Sequence, residues 1–359
     1  MAEALSPERP PGGEGRQNER PGADLAAGLS GFGACAPVGD RPFATEARDG
    51  FVPAYRRLLA RGELGARAER AMDRLRACDL CARYCRVDRT QGVRGAVCRT
   101  GARAAVSSFA PHHGEERPLR GWAGSGTIFF AWCNLRCVFC QNWEISQEGE
   151  GRETSARELA DMMLALEAAG CHNINFVSPS HVVAQILEAL ALAAADGLRL
   201  PLVYNTGGYD SPEALALLDG VIDIYMPDLK YGDSEIARKY PKIRDYVAVN
   251  RAAVKEMHRQ VGDLRLDERG LAVRGLLVRH LVLPGGLAGT GEVMRFLAEE
   301  ISRDTYVNLM AQYRPSHRAG EYAELARRPS PSELRAAFAA ARACGLARFD
   351  DESSWMFNA

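Results

Sequence analysis

The sequence predicts an α/β fold: a partial (β/α)6 TIM-like barrel with a helical, Cys-rich N-terminal extension. Beyond Gly126 the chain alternates apolar, strand-like runs with amphipathic helical patterns, which is how βαβ units and a parallel sheet read. The runs are residues 127–132, 173–178, 200–205, 221–226, 276–283 and 306–312. Six strands in about 190 residues make one βα unit per ~30, whereas a complete eight-fold barrel needs ~250 residues. An open barrel of six units fits that length. Ahead of it, Tyr55, Leu58, Leu59 and Leu75 mark an apolar helical stripe among arginines from Phe51 to Leu75, leading into the first cysteines.

Taken in order, residues 1–50 are rich in Pro, Gly, Arg and Glu, lack a hydrophobic signal core, and carry too many acidic residues for a transit peptide. They are expected to be a disordered extension. Residues 51–105 form the helical segment with a four-cysteine site, 106–320 the core barrel, and 321–359 a C-terminal helical extension. Within the barrel, Ser155-x-x-Glu158 is a capping box, Leu159, Met162, Met163 and Leu166 make one apolar face, and Gly170 ends that helix. Ser211-Pro212 opens another helix, and Ser330-Pro331-x-Glu333 caps a last one expected to pack on the outside.

Bulk properties narrow the function classes. The 45 Lys and Arg nearly cancel the 46 Asp and Glu among 359 residues, so nothing draws the chain as a whole to nucleic acid or an anionic membrane. The most apolar region, residues 186–203, is interrupted by Glu188, Asp196 and Arg199, which excludes a membrane span there. Seven of the ten cysteines fall in two tight clusters, a pattern that suits metal in a reducing compartment, so a cytoplasmic protein is expected.

The later cluster is Cys133-Asn-Leu-Arg-Cys137-Val-Phe-Cys140, set behind the apolar run Gly126-Thr-Ile-Phe-Phe-Ala-Trp132. Thiolates at CxxxCxxC spacing can hold three irons of a cubane 4Fe-4S cluster, and no fourth cysteine follows closely to close off the last iron. A zinc knuckle would pair two short Cys/His hairpins, but no Cys or His falls in the thirty residues after Cys140.

These residues, with Phe139 before the last cysteine, Pro111-His-His-Gly-Glu-Glu116, Gly124-Ser-Gly-Thr-Ile-Phe-Phe130 and Gln141-Asn142-Trp143, resemble the radical S-adenosylmethionine superfamily. The branch they are most similar to is that of the uncharacterised homologues of pyruvate formate-lyase activating enzyme, over about residues 78–315. The resemblance implies a 4Fe-4S cluster on Cys133, Cys137 and Cys140 whose open iron chelates S-adenosylmethionine. It also implies a reductant such as flavodoxin or ferredoxin, reductive cleavage to a 5'-deoxyadenosyl radical, and hydrogen abstraction from a substrate. A glycine of a glycyl radical enzyme partner is one candidate substrate. No residue is singled out as catalytic; the cofactor supplies the hard chemistry.

By analogy with barrel enzymes, contacts to S-adenosylmethionine are expected at the strand ends. Phe139 and Gln141 flank the last cysteine. The Gly-Gly-Glu segment of the activating enzymes is absent, and Phe176-Val-Ser-Pro-Ser-His181 stands in its place. Ser178 and His181 either substitute for it or merely start a helix. Asn173 and Asn175 alternate on one strand face and need partners, from a cofactor or from neighbouring strands. Asp228-Leu-Lys230 matches the Asp-x-Lys element of the activating enzymes, and Lys230 is one of four lysines among the 45 basic residues. Arg279, beside His280 in an apolar strand, needs a carboxylate: that of the cofactor, or Asp228 or Asp223. Asn205 opens Asn-Thr-Gly-Gly208, whose glycines permit close approach to a ligand or make a simple turn, and Gln312 closes the sixth strand toward the same cavity.

The earlier cluster, Cys78-x-x-Cys81-x-x-x-Cys85 with Cys98, supplies four thiolates, enough for a tetrahedral zinc site or for a fully ligated iron-sulfur cluster. Cys171 and Cys344 read as small core residues, and Cys35 falls in the expected disordered segment. Two readings of function remain: a radical enzyme, or a non-catalytic iron-sulfur or zinc scaffold that senses redox state. The missing Gly-Gly-Glu segment favours the scaffold. An intact triplet among polar strand ends favours the enzyme. No basic stripe supports an RNA substrate.

Overall fold

Gly62 sets the first departure from the sequence pattern. In the computed structural model, which describes residues 51–350, the apolar stripe is divided between helices α1 (Ala54–Ala60) and α2 (Glu63–Asp73), with a 3-10 turn at Arg74–Ala77. Gly62 sits between them at φ 71°, a left-handed conformation in which a side chain is strained, so one continuous helix is broken. The stripe survives the break: Tyr55, Leu58, Leu64, Ala68, Ala71 and Leu75 are buried. Asp223 anchors α1 by accepting Ala54 N–H at 2.8 Å. The expected disordered segment, with Cys35, and the last nine residues of the expected C-terminal extension lie outside the described residues.

The chain continues through β1 (Ala104–His112), the short helix α3 (Arg117–Arg120), β2 (Ser125–Phe130), β3 (Arg152–Thr154), α4 (Ala156–Ala168), β4 (Ile174–Val177) and α5 (Val183–Ala195). It then forms β5 (Leu202–Thr206), α6 (Pro212–Leu218), β6 (Ile224–Pro227), α7 (Ser234–Lys239), α8 (Tyr246–Val261), β7 (Arg265–Leu266) and β8 (Ala272–Leu281). After these come α9 (Thr290–Phe296), β9 (Tyr306–Met310), α10 (Pro331–Ala343) and β10 (Arg348–Phe349). Both expected capping boxes form, at Ser155 with Glu158 and at Ser330 with Glu333, and Ser211 caps α6. No helix among the described residues is long and apolar enough to cross a membrane.

Strand order is β10-β9-β8-β6-β5-β4-β2-β1-β3, with β7 on the side of β8. From β2 to β10 every neighbouring pair is parallel, so the six expected strands are present and form one run. The path ends at β3 and β10, which leaves the barrel open. Strands β1 and β10 lie outside the six expected. The region after residue 320 is not purely helical, because β10 adds a further parallel strand beside β9. The helical N-terminal segment runs into β1, which pairs antiparallel with β2 and β3. Neither strand announces itself as an apolar run: β10 spans two residues, and much of β1 is partly exposed.

Strand alternation sorts the side chains into two layers. Ile128, Phe130, Ile174, Phe176, Tyr204, Tyr225, Leu276, Val278, Val307 and Leu309 face the helices and form the main core, with buried Cys171 among them and Cys344 against it. Val203, Ile224, Met226, Leu277 and Tyr306 face inward, where Leu119 of α3 packs on them. Because β1 runs antiparallel to β2, with His112 opposite Ser125, the chain leaves β1 at the N-terminal end of the parallel strands. Residues 112–121 thus close the barrel from that end.

Candidate active site

At the opposite end, β2 leads into the cysteine triplet through Trp132, whose φ of 67° is strained for so bulky a residue. Trp132 N–H donates to Ile145 O at 2.9 Å, and Arg99 lies over its ring at 5.2 Å. His181 fastens the same bend. Its Nε2–H donates to Ala131 O at 3.0 Å, and burial, followed by the charge of Arg89, pushes its pKa down to about 3 and keeps it neutral. The expected cofactor residue His181 is therefore found positioning the triplet loop.

Inside the loop, Leu135 N–H donates to Cys133 Sγ at 3.3 Å, Cys140 Sγ meets Ser146 Oγ at 3.2 Å, and Gln147 Nε2 donates to Cys137 O at 2.9 Å. Phe139 packs edge-on against Tyr231 and Tyr313, so it anchors the loop in an aromatic pocket. Burial pushes Cys133 up to about 11, with Cys140 adding to the rise and Lys230 opposing it. Cys137 rises to about 12 by burial against the same lysine. Among the described residues, no three His, Cys, Asp or Glu side chains converge on a single ion-sized point.

Asp228 joins the strand ends electrically. It accepts Lys230 Nζ at 2.5 Å and Arg279 Nε at 2.9 Å, while Arg279 Nη2 donates to Asn205 Oδ1 at 2.6 Å. Burial works against the Asp228 charge, yet Arg279 and Lys230 prevail and hold its pKa below the ordinary value. The carboxylate that Arg279 requires is therefore supplied by the protein. Asp223, the other internal partner considered, is committed to Ala54 N–H and to Leu202 N–H at 3.1 Å. His280 points the other way, donating from Nδ1 to Leu229 O at 2.6 Å and accepting from Thr290 Oγ1 at 2.9 Å.

The remaining predicted residues divide. Gly208, at φ 75°, would place a Cβ 2.1 Å from Asn250 Nδ2 and 2.4 Å from Asp228 O, so its close approach serves packing within the protein. Asn173 is satisfied by Ser125 Oγ and Leu119 O, whereas Asn175 bonds Ser125 Oγ and leaves Oδ1 without a partner among the described residues. Ser178 ends β4 at φ 59°, its N–H donating to Asn205 O at 2.9 Å. Gln141 Nε2 reaches Gln312 O at 3.5 Å.

A cavity of about 280 Å³ lies within the strand ends. Asn205, Arg279 and Gln312, predicted from sequence, line it, as do Asn142 of the triplet loop and apolar Phe129, Val177 and Met310. Glu115, Glu116 and Asn308 line it too, and sequence reasoning assigned them no role. The paired glutamates were visible beyond β1, but nothing in the sequence brings them to residue 308; the return of the chain through α3 does so, and Asn308 Nδ2 donates to Glu116 Oε1 at 2.8 Å.

The four-cysteine segment sits against the triplet loop. Arg83 Nε donates to Asn134 O at 2.7 Å, and Ser211 Oγ donates to Asp79 O at 2.8 Å. Cys78, Cys81 and Cys98 are buried and Cys85 is half-buried. Arg89 is only 2% exposed, donates to Thr100 O at 2.7 Å and to Cys78 Sγ at 3.4 Å, and has no carboxylate partner among the described residues.

Comparison with known proteins identifies the family. Residues 127–297 match the radical SAM superfamily. An uncharacterized protein of Methanocaldococcus jannaschii, MJ0674, is 31% identical over 284 residues, covering 76% of this chain and 77% of that protein. Among solved structures, a radical SAM methyltransferase from Sphaerobacter thermophilus is similar over 62% of this chain and 66% of its own, with 16% identity and a TM-score of 0.40. Methylornithine synthase is similar over 62% of this chain and 70% of its own, with 14% identity and a TM-score of 0.39. The chain belongs to the radical SAM superfamily and is an enzyme of that class. Membership implies a 4Fe-4S cluster, S-adenosylmethionine as substrate, and a reductant.

The residues present fit that cofactor. A cubane cluster spreads its thiolates over separate irons, so three thiols around a loop, rather than converged on one point, suit it. Tyr231 Oη, buried close enough to Cys137 to interact with its charge, has no hydrogen-bond partner among the described residues and offers a donor on that side.

Proposed function

We propose that Cys133, Cys137 and Cys140 ligate the 4Fe-4S cluster and that the cavity beneath their loop is the chamber in which S-adenosylmethionine is cleaved reductively and a substrate loses a hydrogen atom. The observation that carries this is the placement of the cavity. Asn142 of the triplet loop and the inward residues of β5, β8 and β9 share one chamber. When bound, the cluster and S-adenosylmethionine supply a 5'-deoxyadenosyl radical. The chain's own residues orient and enclose. Thr206, Asp228 and Arg279 stiffen the strand ends, His181 and Phe139 fix the loop, and Gln141 Nε2 donates to Gln312 O. Deprotonating Cys133 and Cys137 on iron offsets the burial that keeps them protonated as free thiols, so cluster assembly releases protons.

The chamber, about 280 Å³, is lined by two buried carboxylates, Arg279 and the amides of Asn205 and Asn308, a wall of polar groups that suits a small polar molecule. A glycine of a glycyl radical enzyme partner is the second reading, favoured by the exposure of Gln141 and Gln312 at the rim. The four-cysteine segment is proposed to hold a second metal, because a thiolate-ligated metal is the anion that buried Arg89 otherwise lacks; its thiols, like those of the triplet, do not converge on one ion-sized point among the described residues, so an iron-sulfur cluster fits them as they stand and zinc requires them to draw together.

The test is anaerobic reconstitution with iron and sulfide, reduction with dithionite, addition of S-adenosylmethionine, and detection of 5'-deoxyadenosine by mass spectrometry. The product is expected from the native enzyme and not from Cys137→Ala. Cleavage by the variant would refute the ligand assignment.

A further inference from the structure

Glu115 and Glu116 take no part in holding the triplet loop, yet they are 7% and 4% exposed and line the chamber. Glu116 Oε1 accepts from Asn308 Nδ2, while its Oε2 is buried without a hydrogen-bond partner among the described residues. Glu115 approaches Arg279 Nη1 only at 3.9 Å, and that guanidinium is already spent on Asp228 and Asn205. Burial, reinforced by the charge of Glu116, pushes Glu115 up to about 7. His112 Nδ1 stands 3.6 Å from Glu115 Oε1, beyond a hydrogen bond, so two carboxylates share a confined wall whose one permanent cation is committed elsewhere, an arrangement that a cation entering the chamber relieves. Phe129, Val177 and Met310 give the same chamber an apolar side suited to a methylene chain.

We propose that Glu115 and Glu116, with the Asn308 amide holding Glu116 in place, form a subsite for a primary ammonium group carried on an aliphatic chain. This rests on the reading of the cavity as the reaction chamber. The substrate is the molecule that brings this group into the chamber, because the α-amino group of an iron-chelated S-adenosylmethionine binds as a neutral amine and is not a free ammonium. Its ammonium donates to Glu116 Oε2.

The experiment titrates the reconstituted enzyme anaerobically with n-butylamine and with its neutral isostere n-butanol, without and with saturating S-adenosylmethionine, using ligand-observed NMR. Without S-adenosylmethionine the amine is expected to bind about tenfold tighter than the alcohol, or more, as fits a charge-assisted contact. Equal affinities in the native enzyme overturn the subsite without recourse to any variant. The preference is expected to persist with S-adenosylmethionine bound, and its disappearance there would overturn the assignment of the subsite to the substrate. In Glu116→Gln, checked for fold by circular dichroism and for cluster by absorbance, amine affinity is expected to fall roughly ten- to hundredfold, and an unchanged value refutes the assignment. Formation of 5'-deoxyadenosine by the same native preparation separates failure of the subsite from failure of the radical reading.

Discussion

Asp228 shows how a single residue decides what its neighbours can do. Its carboxylate holds Lys230 and Arg279 together, its main-chain carbonyl accepts from Tyr246 Oη at 3.1 Å and from Asn250 Nδ2 at 3.0 Å, and the strand end is rigid for that reason. His280 completes the arrangement from the outer face by tying Leu229 O to Thr290. Its burial lowers the imidazole pKa from 6.5 to about 4. A group so depressed binds its proton in the unfolded chain first, so its contribution is complete above pH 6.5 and is lost as pH falls toward 4. Urea denaturation of the native enzyme and of His280→Asn across that range should show the native advantage shrinking by up to ~3 kcal/mol, at ~1.4 kcal/mol for each pH unit separating the folded from the unfolded pKa. A difference that stays constant with pH would mean that His280 takes up its proton inside the folded protein. At this scale the sequence announces need more readily than supply. The position of Arg279 in an apolar strand demanded a carboxylate, but only the parallel register that sets Asp228 beside Arg279 chooses between the candidates.

Among elements, the triplet loop is the one whose form local propensity does not explain. CxxxCxxC spacing is visible in the sequence, as is the apolar strand before it, but the left-handed Trp132 that joins them is not, because a tryptophan gives no signal of positive φ. What compensates is a glycine seventeen residues on. Gly149, at φ 79°, leaves the space the indole fills, and a Cβ there would stand 2.2 Å from Trp132 Cζ2. Gly149→Ala should therefore push the indole aside and shift Cys133, destabilising by roughly 1–3 kcal/mol through overpacking and lowering the iron retained after reconstitution. Undiminished iron with a native denaturation midpoint would show that the loop does not depend on this contact. The helices present the opposite case. Ser155 with Glu158 and Ser330 with Glu333 were legible because a capping box is written in four consecutive residues and needs no tertiary help.

For the whole molecule, the barrel's strand count and order of succession follow from periodicity, while its two closures do not. Residues 112–121 return beneath the strands and bring Glu115 and Glu116 into the chamber, and residues 78–100 lie against the triplet loop; both depend on contacts between residues far apart in sequence. The second of these makes a testable claim about coupling. Arg83 lies two residues beyond Cys81 and donates to Asn134, one residue beyond Cys133, and Arg99, beside Cys98, lies over Trp132, so order in one cysteine set is transmitted to the other through these contacts. Changing Cys78, Cys81, Cys85 and Cys98 together to Ala should remove one complement of metal, leave the iron bound at the triplet, and raise amide hydrogen exchange around residues 133–140. Loss of zinc with iron unchanged makes the second site structural. Loss of iron and sulfide in the proportion of a second cluster makes it an electron carrier placed beside the first, which the Arg83 contact then positions. Metal content identical to the native enzyme would leave Arg89 as a buried cation answered only by thiols and carbonyls, and the proposal of a second metal would fall.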